Sequence, residues 1–237
     1  YRLLGKAELG SAVASGKDLA VTVDRDKTPP VISVRAKKPA GIFPYTLTVD
    51  AGGKKLIQSD VLIASQWSVK AFANATDPRK DVDAWHKEAD AGVTFEMGMI
   101  DFRFGGGGVS ELKGVPAKVA EAKLPREHFG VIATTSLEFP KGKWKLTTES
   151  DDGIRVFVDD EAKIDNWTWH VPTRDSATIE IAEARVVKLR IEYFELDGHA
   201  TLGFKIEKEE AGRATVQVRK LPKRKLGINS ADKFKHN

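Results

Sequence analysis

The stretch Gly142–Asp159, with the sequence GKWKLTTESDDGIRVFVD, is the clearest indication of fold in this sequence. Apolar and polar residues alternate on both sides of its central Ser-Asp-Asp-Gly sequence at 150–153. Such alternation predicts two antiparallel strands, each buried on one face, with a turn between them. The quoted stretch therefore predicts part of a β-sandwich and places two adjacent carboxylates at the end of a strand.

The same alternation recurs along the rest of the chain. Further strands are predicted at 20–23, 31–35, 45–49, 56–63, 179–181, 189–193, 202–206 and 215–218. One short helix is predicted after an N-cap at Asp77, because Val82, Trp85, His86 and Ala89 have helical spacing before Gly92. The chain is therefore expected to be all-β, with one short helix.

Composition narrows the functional classes. The chain has 237 residues, no cysteine and a net charge of +4, so disulfides, thiolate metal sites and cysteine nucleophiles are excluded. No stretch approaches the roughly 18 apolar residues of a membrane span. The five histidines lack zinc-binding spacing, no Gly-x-Ser-x-Gly elbow occurs, and Gly105–Gly108 lacks the lysine of a phosphate loop. An enzyme is therefore not expected, and any catalytic domain would lie outside this chain.

Several separated motifs resemble the PA14 domain family. They are the Ser-Asp-Asp-Gly turn, the strand that ends in Val158-Asp159, the pair Asn166-Trp167 and the strand that closes with Tyr193-Phe-Glu195. The order and spacing match over residues 66–208. The resemblance implies an antiparallel β-sandwich (PA14-like) that binds carbohydrate outside the cytoplasm, as a periplasmic, cell-surface or secreted protein.

The flanking residues are assigned to two further segments. Residues 1–65 form a small N-terminal β segment, which resembles the Ig-like repeats of bacterial surface proteins through its Thr-Pro-Pro sequence and its Asp-Ala-Gly-Gly turn. Residues 209–237 are expected to form a strand and a basic C-terminal tail.

Two adjacent carboxylates, Asp151 and Asp152, indicate a cation site. Neighbouring negative charges repel each other, and an ion that prefers oxygen ligands relieves that repulsion. In sugar-binding members of the family, this pair is joined by a cis peptide and binds Ca²⁺, and the resemblance adds Glu195 and the nearby Asp197 as ligands. The alternative is a structural turn in which the carboxylates accept backbone N–H groups.

Aromatic residues follow directly after the Asn-Trp motif. Aromatic faces stack on sugar rings, so Trp169 and His170 are candidate ligand-binding residues together with Asp151 and Asp152. Trp167 is assigned to packing, as is usual for this position in the family.

A basic cluster near the C-terminus supports an alternative function. It consists of Arg219, Lys220, Lys223, Arg224 and Lys225. Such a cluster suits an acidic protein partner, so the chain is alternatively a structural or assembly subunit of a larger surface or membrane-associated complex. Nucleic acid is not an expected partner, because aromatic residues are nearly absent from the cluster.

Overall fold

The computed structural model describes residues 1–4, 8–209 and 225–227. The N-terminal strands are β1 Arg2–Leu4, β2 Leu9–Ala14, β3 Leu19–Asp24, β4 Val31–Ala36, β5 Gly41–Ala51 and β6 Lys54–Ala64. The elements that follow are β7 Trp67–Ala73, α1 Val82–Glu88, β8 Val93–Met97, β9 Asp101–Gly105, α2 Ala117–Glu121, β10 Phe129–Phe139, β11 Gly142–Asp151, β12 Ile154–Val158, β13 Glu161–Asn166, β14 Thr173–Ile181, β15 Arg185–Glu195 and β16 Ala200–Lys208. The last described strand is β17, Lys225–Gly227.

The described residues fall into two compact units. The first contains Tyr1–Ala64 and β17, and the second lies within Ser65–Arg213. The first unit has one sheet in the order β17-β1-β4-β3 and another in the order β2-β5-β6. Ile32, Leu47 and Val49 are fully buried, and residues from both sheets share this core.

The second unit is a sandwich of two antiparallel sheets. The larger sheet has the order β13-β12-β15-β10-β7-β8, and the smaller has the order β14-β11-β16-β9. Aromatic rings from opposite sheets meet in the core: Trp67 of β7 packs edge-on against Phe204 of β16, with ring centroids 5.6 Å apart. Phe139 of β10 and Trp144 of β11 form the same contact at 5.6 Å. The predicted all-β sandwich is confirmed.

The predicted helix is present, but its predicted N-cap is wrong. Helix α1 begins after Asp81, whose carboxylate accepts the backbone N–H of Ala84 at 2.9 Å. The carboxylate of Asp77 instead binds the side chain of Arg79. Trp85 is fully buried, and its ring packs against that of Phe72. A second short helix, α2, lies between β9 and β10.

Strand register brings several loops together at one end of the strands of the larger sheet. Phe129 at the start of β10 pairs with Ala73 at the end of β7 and with Glu195 at the end of β15. Ile154 at the start of β12 pairs with Tyr193. The loops after β7 and β15 and the turn before β12 therefore lie together at this end.

The predicted strand at 215–218 lies outside the described residues.

Candidate metal and ligand site

Three carboxylates meet among the loops at this end of the larger sheet. Ligand oxygens of Asp151, Asp152 and Glu195 all lie within 4.8 Å of one another. All three residues are buried, and Glu195 has no exposed surface. Carboxylates seldom lie buried in a group unless a cation or a proton neutralises them. The group is therefore of the kind that can hold a metal ion.

Local structure explains how the three residues meet. Asp151 ends β11 and pairs with Thr201 of β16, so it belongs to the smaller sheet. The peptide bond between Asp151 and Asp152 is cis. Gly153 follows, where an added Cβ would lie 2.2 Å from Cε1 of Phe194, so only glycine fits beside that ring. The backbone N–H of Phe194 donates to the carbonyl of Gly153 at 3.0 Å, which fixes the turn against β15.

Hydrogen bonds hold two of the three carboxylates. Asp152 accepts the backbone N–H of His170 at 3.3 Å and that of Leu196 at 2.9 Å, one on each oxygen. The hydroxyl of Tyr193 donates to the backbone carbonyl of Asp151 and lies 3.2 Å from Oε2 of Glu195. Oε1 of Glu195 is buried without a hydrogen-bond partner. Asp152 therefore has the contacts of a structural turn, whereas Glu195 has an unused buried acceptor.

Burial and mutual repulsion shift the protonation of the group. Burial, followed by the charges of Asp152 and Asp151, raises the pKa of Glu195 to about 9. Burial is also the largest cause of the raised pKa values of Asp151 and Asp152. Without a cation, the three carboxyl groups therefore cannot all carry a charge near neutral pH.

The other predicted site residues surround this group. Asp197 is not a member of the group, and its Oδ1 accepts the indole N–H of Trp169 at 3.1 Å. The side chain of Trp169 is 52% exposed, so one aromatic surface faces solvent beside the acidic group. Nδ1 of His170 lies 2.9 Å from the carbonyl of Val171, and Nε2 is buried without a partner. Strand β13 ends at Asn166, so Trp169 and His170 lie in a loop.

The loop before α1 also belongs to this region. The indole N–H of Trp167 donates to the carbonyl of Pro78 at 2.9 Å, and the Trp167 ring packs edge-on against Phe194 at 4.7 Å. The charges of Asp152 and Asp197 contribute to the raised pKa of Arg79, after the larger effect of its hydrogen bond to Asp77. Arg79 and Tyr193 were missed as site residues in the sequence. Tyr193 could have been noted as part of the Tyr-Phe-Glu motif, whereas no local pattern marks Arg79.

The predicted partner-binding residues are not tested by the structure. Arg219, Lys220, Lys223 and Arg224 lie outside the described residues, and only the backbone of Lys225, in β17, is described. Their role therefore stays a prediction. Within the part of the chain that the structure describes, no helix is long and apolar enough to cross a membrane.

The second unit is a two-sheet β-sandwich that carries a buried acidic group among the loops at one end of its strands. The family model described as the PA14 domain matches residues 117–214. Residues 117–214 thus match the PA14 domain, in agreement with the motifs. No curated protein sequence matches the chain.

Solved structures share this fold at low sequence identity. The PA14 domain of the MpAFP antifreeze protein matches with a TM-score of 0.51 and 17% identity, over 63% of this chain and 85% of that one. A PA14 sugar-binding domain from an RTX adhesin matches with a TM-score of 0.45 and 17% identity, over 64% of this chain and 92% of that one. The Epithelial Adhesin 6 A domain from Candida glabrata, in complex with Galb1-3GlcNAc, matches with a TM-score of 0.47 and 11% identity, over 65% of this chain and 83% of that one. At such an identity the similarity to the MpAFP domain supports the fold alone.

Proposed function

We propose that the second unit binds carbohydrate through a calcium ion held by Asp151, Asp152 and Glu195. It acts as a non-catalytic adhesion or targeting module outside the cytoplasm. The observation that carries the proposal is the buried, unpartnered Oε1 of Glu195, which lies within a group of three carboxylates. This atom needs a partner, because a buried acceptor without one costs about 1–3 kcal/mol.

The donor set favours calcium over a transition metal. All three side chains offer oxygen, and Ca²⁺ accepts six to eight oxygen ligands with flexible geometry. Asp151, Asp152 and Glu195 would hold the ion, and Asp197 with its backbone is close enough in the chain to join them. A bound Ca²⁺ would neutralise the group and offer remaining coordination positions to sugar hydroxyls.

Carbohydrate is the proposed ligand for two reasons: the resemblance to sugar-binding PA14 domains, and the exposed aromatic surface beside the acidic group. The resemblance to sugar-binding PA14 domains implies that an Asp-Asp pair at this position binds the ligand through the ion. Trp169 is half-exposed and its indole N–H is bonded to Asp197, so its ring is held beside the site in a defined orientation. Trp169 and His170 are the proposed contacts for the sugar, since aromatic faces pack against the apolar faces of sugar rings.

Calcium titration combined with thermal unfolding tests the metal site. We expect Ca²⁺ to raise the Tm of the wild type and to have no effect on the double variant Asp151→Asn/Asp152→Asn. The matched control is Asp83→Asn/Asp90→Asn, which removes two exposed carboxylates from the region of α1 and should keep the full response. If the wild type does not respond to calcium, Asp151 and Asp152 form a structural turn and the proposal fails. A glycan array with and without calcium then tests the carbohydrate.

A further inference from the structure

A cup on the outer face of the larger sheet contains a second set of polar side chains. It is a cavity of about 230 Å³. The cup is lined by Thr134, Thr135, Ser136, Asp160, Lys188, Leu189 and Arg190. The site proposed above lies at the opposite end of β12, because Asp152 precedes that strand and Asp160 follows it. The cup is therefore separate from the acidic group.

Strand register aims four of these side chains at solvent. Thr134 pairs with Arg190, and Ser136 pairs with Lys188, across the β10–β15 ladder. Side chains of such pairs project from the same face of a sheet. Thr135 and Leu189, which lie between them, point into the sandwich and are buried. The floor of the cup is thus a packed sheet, which holds the four outward side chains in fixed relative positions.

Several donors of the cup are unused. Among the described residues, neither the hydroxyls of Thr134 and Ser136 nor the ammonium group of Lys188 makes a hydrogen bond or an ion pair within the chain. The guanidinium of Arg190 lies over the ring of Phe157, 3.8 Å from its centroid, and this contact holds it in place. Two hydroxyls and two cations therefore line one small cavity.

Cations and carboxylates lie together beside the cup. A single buried carboxylate, Glu192, is shared by two guanidinium groups: Arg155 lies 2.6 Å from it, and Arg190 donates to its other oxygen. Burial is the largest cause of the lowered pKa of Arg190, Asp160 acts in the opposite direction, and the charge of Arg155 lowers the pKa further, as expected for two cations that share one anion. Asp160 is the carboxylate that opposes an anion in the cup, since it lies 3.9 Å from Arg190, and its side chain is 84% exposed.

We propose that this cup binds the oxyanion of an acidic saccharide, a sulfate ester or a carboxylate, through Lys188, Arg190, Thr134 and Ser136. Ammonium, guanidinium and hydroxyl donors form charge-assisted hydrogen bonds with such oxyanions. A nucleic-acid ligand is disfavoured, because Arg190 covers one face of Phe157 and the residues that line the cup include no aromatic side chain. The cup contains none of the proposed calcium ligands, so, resting on the carbohydrate-binding function proposed above, it would provide the domain with a second contact on an extended glycan.

Titration with sodium sulfate, followed by amide chemical shifts of the full-length chain, tests the site itself. We expect saturable shifts at residues 134–136 and 188–190, with calcium absent. Lys188→Gln should weaken sulfate binding about three- to tenfold, since it removes one partly solvated charged contact. Thr134→Ala/Ser136→Ala, which changes no charge, should weaken it as well, and Asp160→Asn should strengthen it.

Dextran sulfate and unmodified dextran then identify the ligand class. We expect the protein to bind dextran sulfate and not to bind dextran. Lys188→Gln should lose more affinity for dextran sulfate than the control Lys145→Gln, which replaces an exposed lysine on the other sheet. Equal losses in Lys188→Gln and Lys145→Gln would show non-specific charge attraction and overturn the proposal. Sulfate shifts spread over the whole surface would overturn it too. If Lys188→Gln still binds dextran sulfate but no longer binds anionic-lipid vesicles, the assignment to a saccharide is overturned.

Discussion

Tyr193 is the residue that joins the two halves of the candidate calcium site. Its hydroxyl contacts the backbone of Asp151, from the smaller sheet, and the carboxylate of Glu195, from the larger one. The side chain is fully buried and its ring stacks on Phe104, with centroids 5.8 Å apart. The hydroxyl is thus held in place by packing, and it orients two proposed ligands without being a ligand itself.

Replacement of this hydroxyl tests its positioning role. We expect Tyr193→Phe to weaken calcium binding about three- to tenfold in isothermal titration calorimetry, because one oriented hydrogen bond contributes about 1 kcal/mol. The control is Tyr45→Phe, which removes a buried hydroxyl from the first unit and should leave calcium binding unchanged. A Tyr193→Phe variant with wild-type calcium affinity but lower stability would limit Tyr193 to a role in folding.

At the scale of single residues, the sequence identified candidates that lie within one motif. Asp151 and Asp152 are neighbours, and Glu195 closes a recognisable strand, so their positions could be predicted. The hydrogen bond from Trp169 to Asp197 and the proximity of Arg79 to Asp152 could not. These contacts depend on the paths of loops, for which hydrophobic periodicity carries no information.

Among the secondary-structure elements, β15 carries the most buried charge. Glu192 is 1% exposed, and it bonds to Arg155 of β12, to Arg190 on its own strand and to His86 of α1 at 3.0 Å. One carboxylate therefore links two strands and the helix that packs on them. A buried ion pair is costly to break, because the remaining charges stay desolvated.

Neutralisation of Glu192 should destabilise this part of the fold. We expect Glu192→Gln to lower the free energy of unfolding by about 3 kcal/mol, because Arg155 and Arg190 lose the anion that compensates them. Urea denaturation of the full-length chain measures the effect. Glu138→Gln, at an exposed position of β10, serves as the control and should change stability by less than about 0.5 kcal/mol. If both variants are equally stable, the network contributes nothing measurable.

The sequence predicted strands with clear alternation and missed others. Strand β11 alternates fully and was found, whereas β10 mixes apolar, glycine and threonine positions, so its period of two is weak. The helix was located by the spacing of Trp85 and its neighbours, but its start was placed four residues early. Asp77 and Asp81 both suit an N-cap by residue type, but the carboxylate of Asp77 binds the backbone and the side chain of Arg79 in the preceding turn, and that of Asp81 caps the helix.

The whole molecule consists of two units, each with a hydrophobic core of its own. The all-β fold class and the PA14 resemblance could be predicted from the sequence, because they depend on patterns that extend over many residues.

Two separate cores predict two unfolding transitions, since cooperativity follows from contacts within a shared core. Ligands that bind the native form of one unit stabilise that unit alone, unless the two unfold together.

Calorimetry of the full-length chain with calcium or with a chelator tests this organisation. Calcium at one hundred times its Kd adds about 2.7 kcal/mol to the stability of the unit that binds it. For a unit of this size, that addition corresponds to a rise in Tm of roughly 5–10 °C. We expect only one of two transitions to rise, and Leu47→Ala, in the core of the first unit, to lower only the other. A single transition that both changes move would show that the units unfold as one cooperative body, because the free energy of calcium binding would then stabilise both cores.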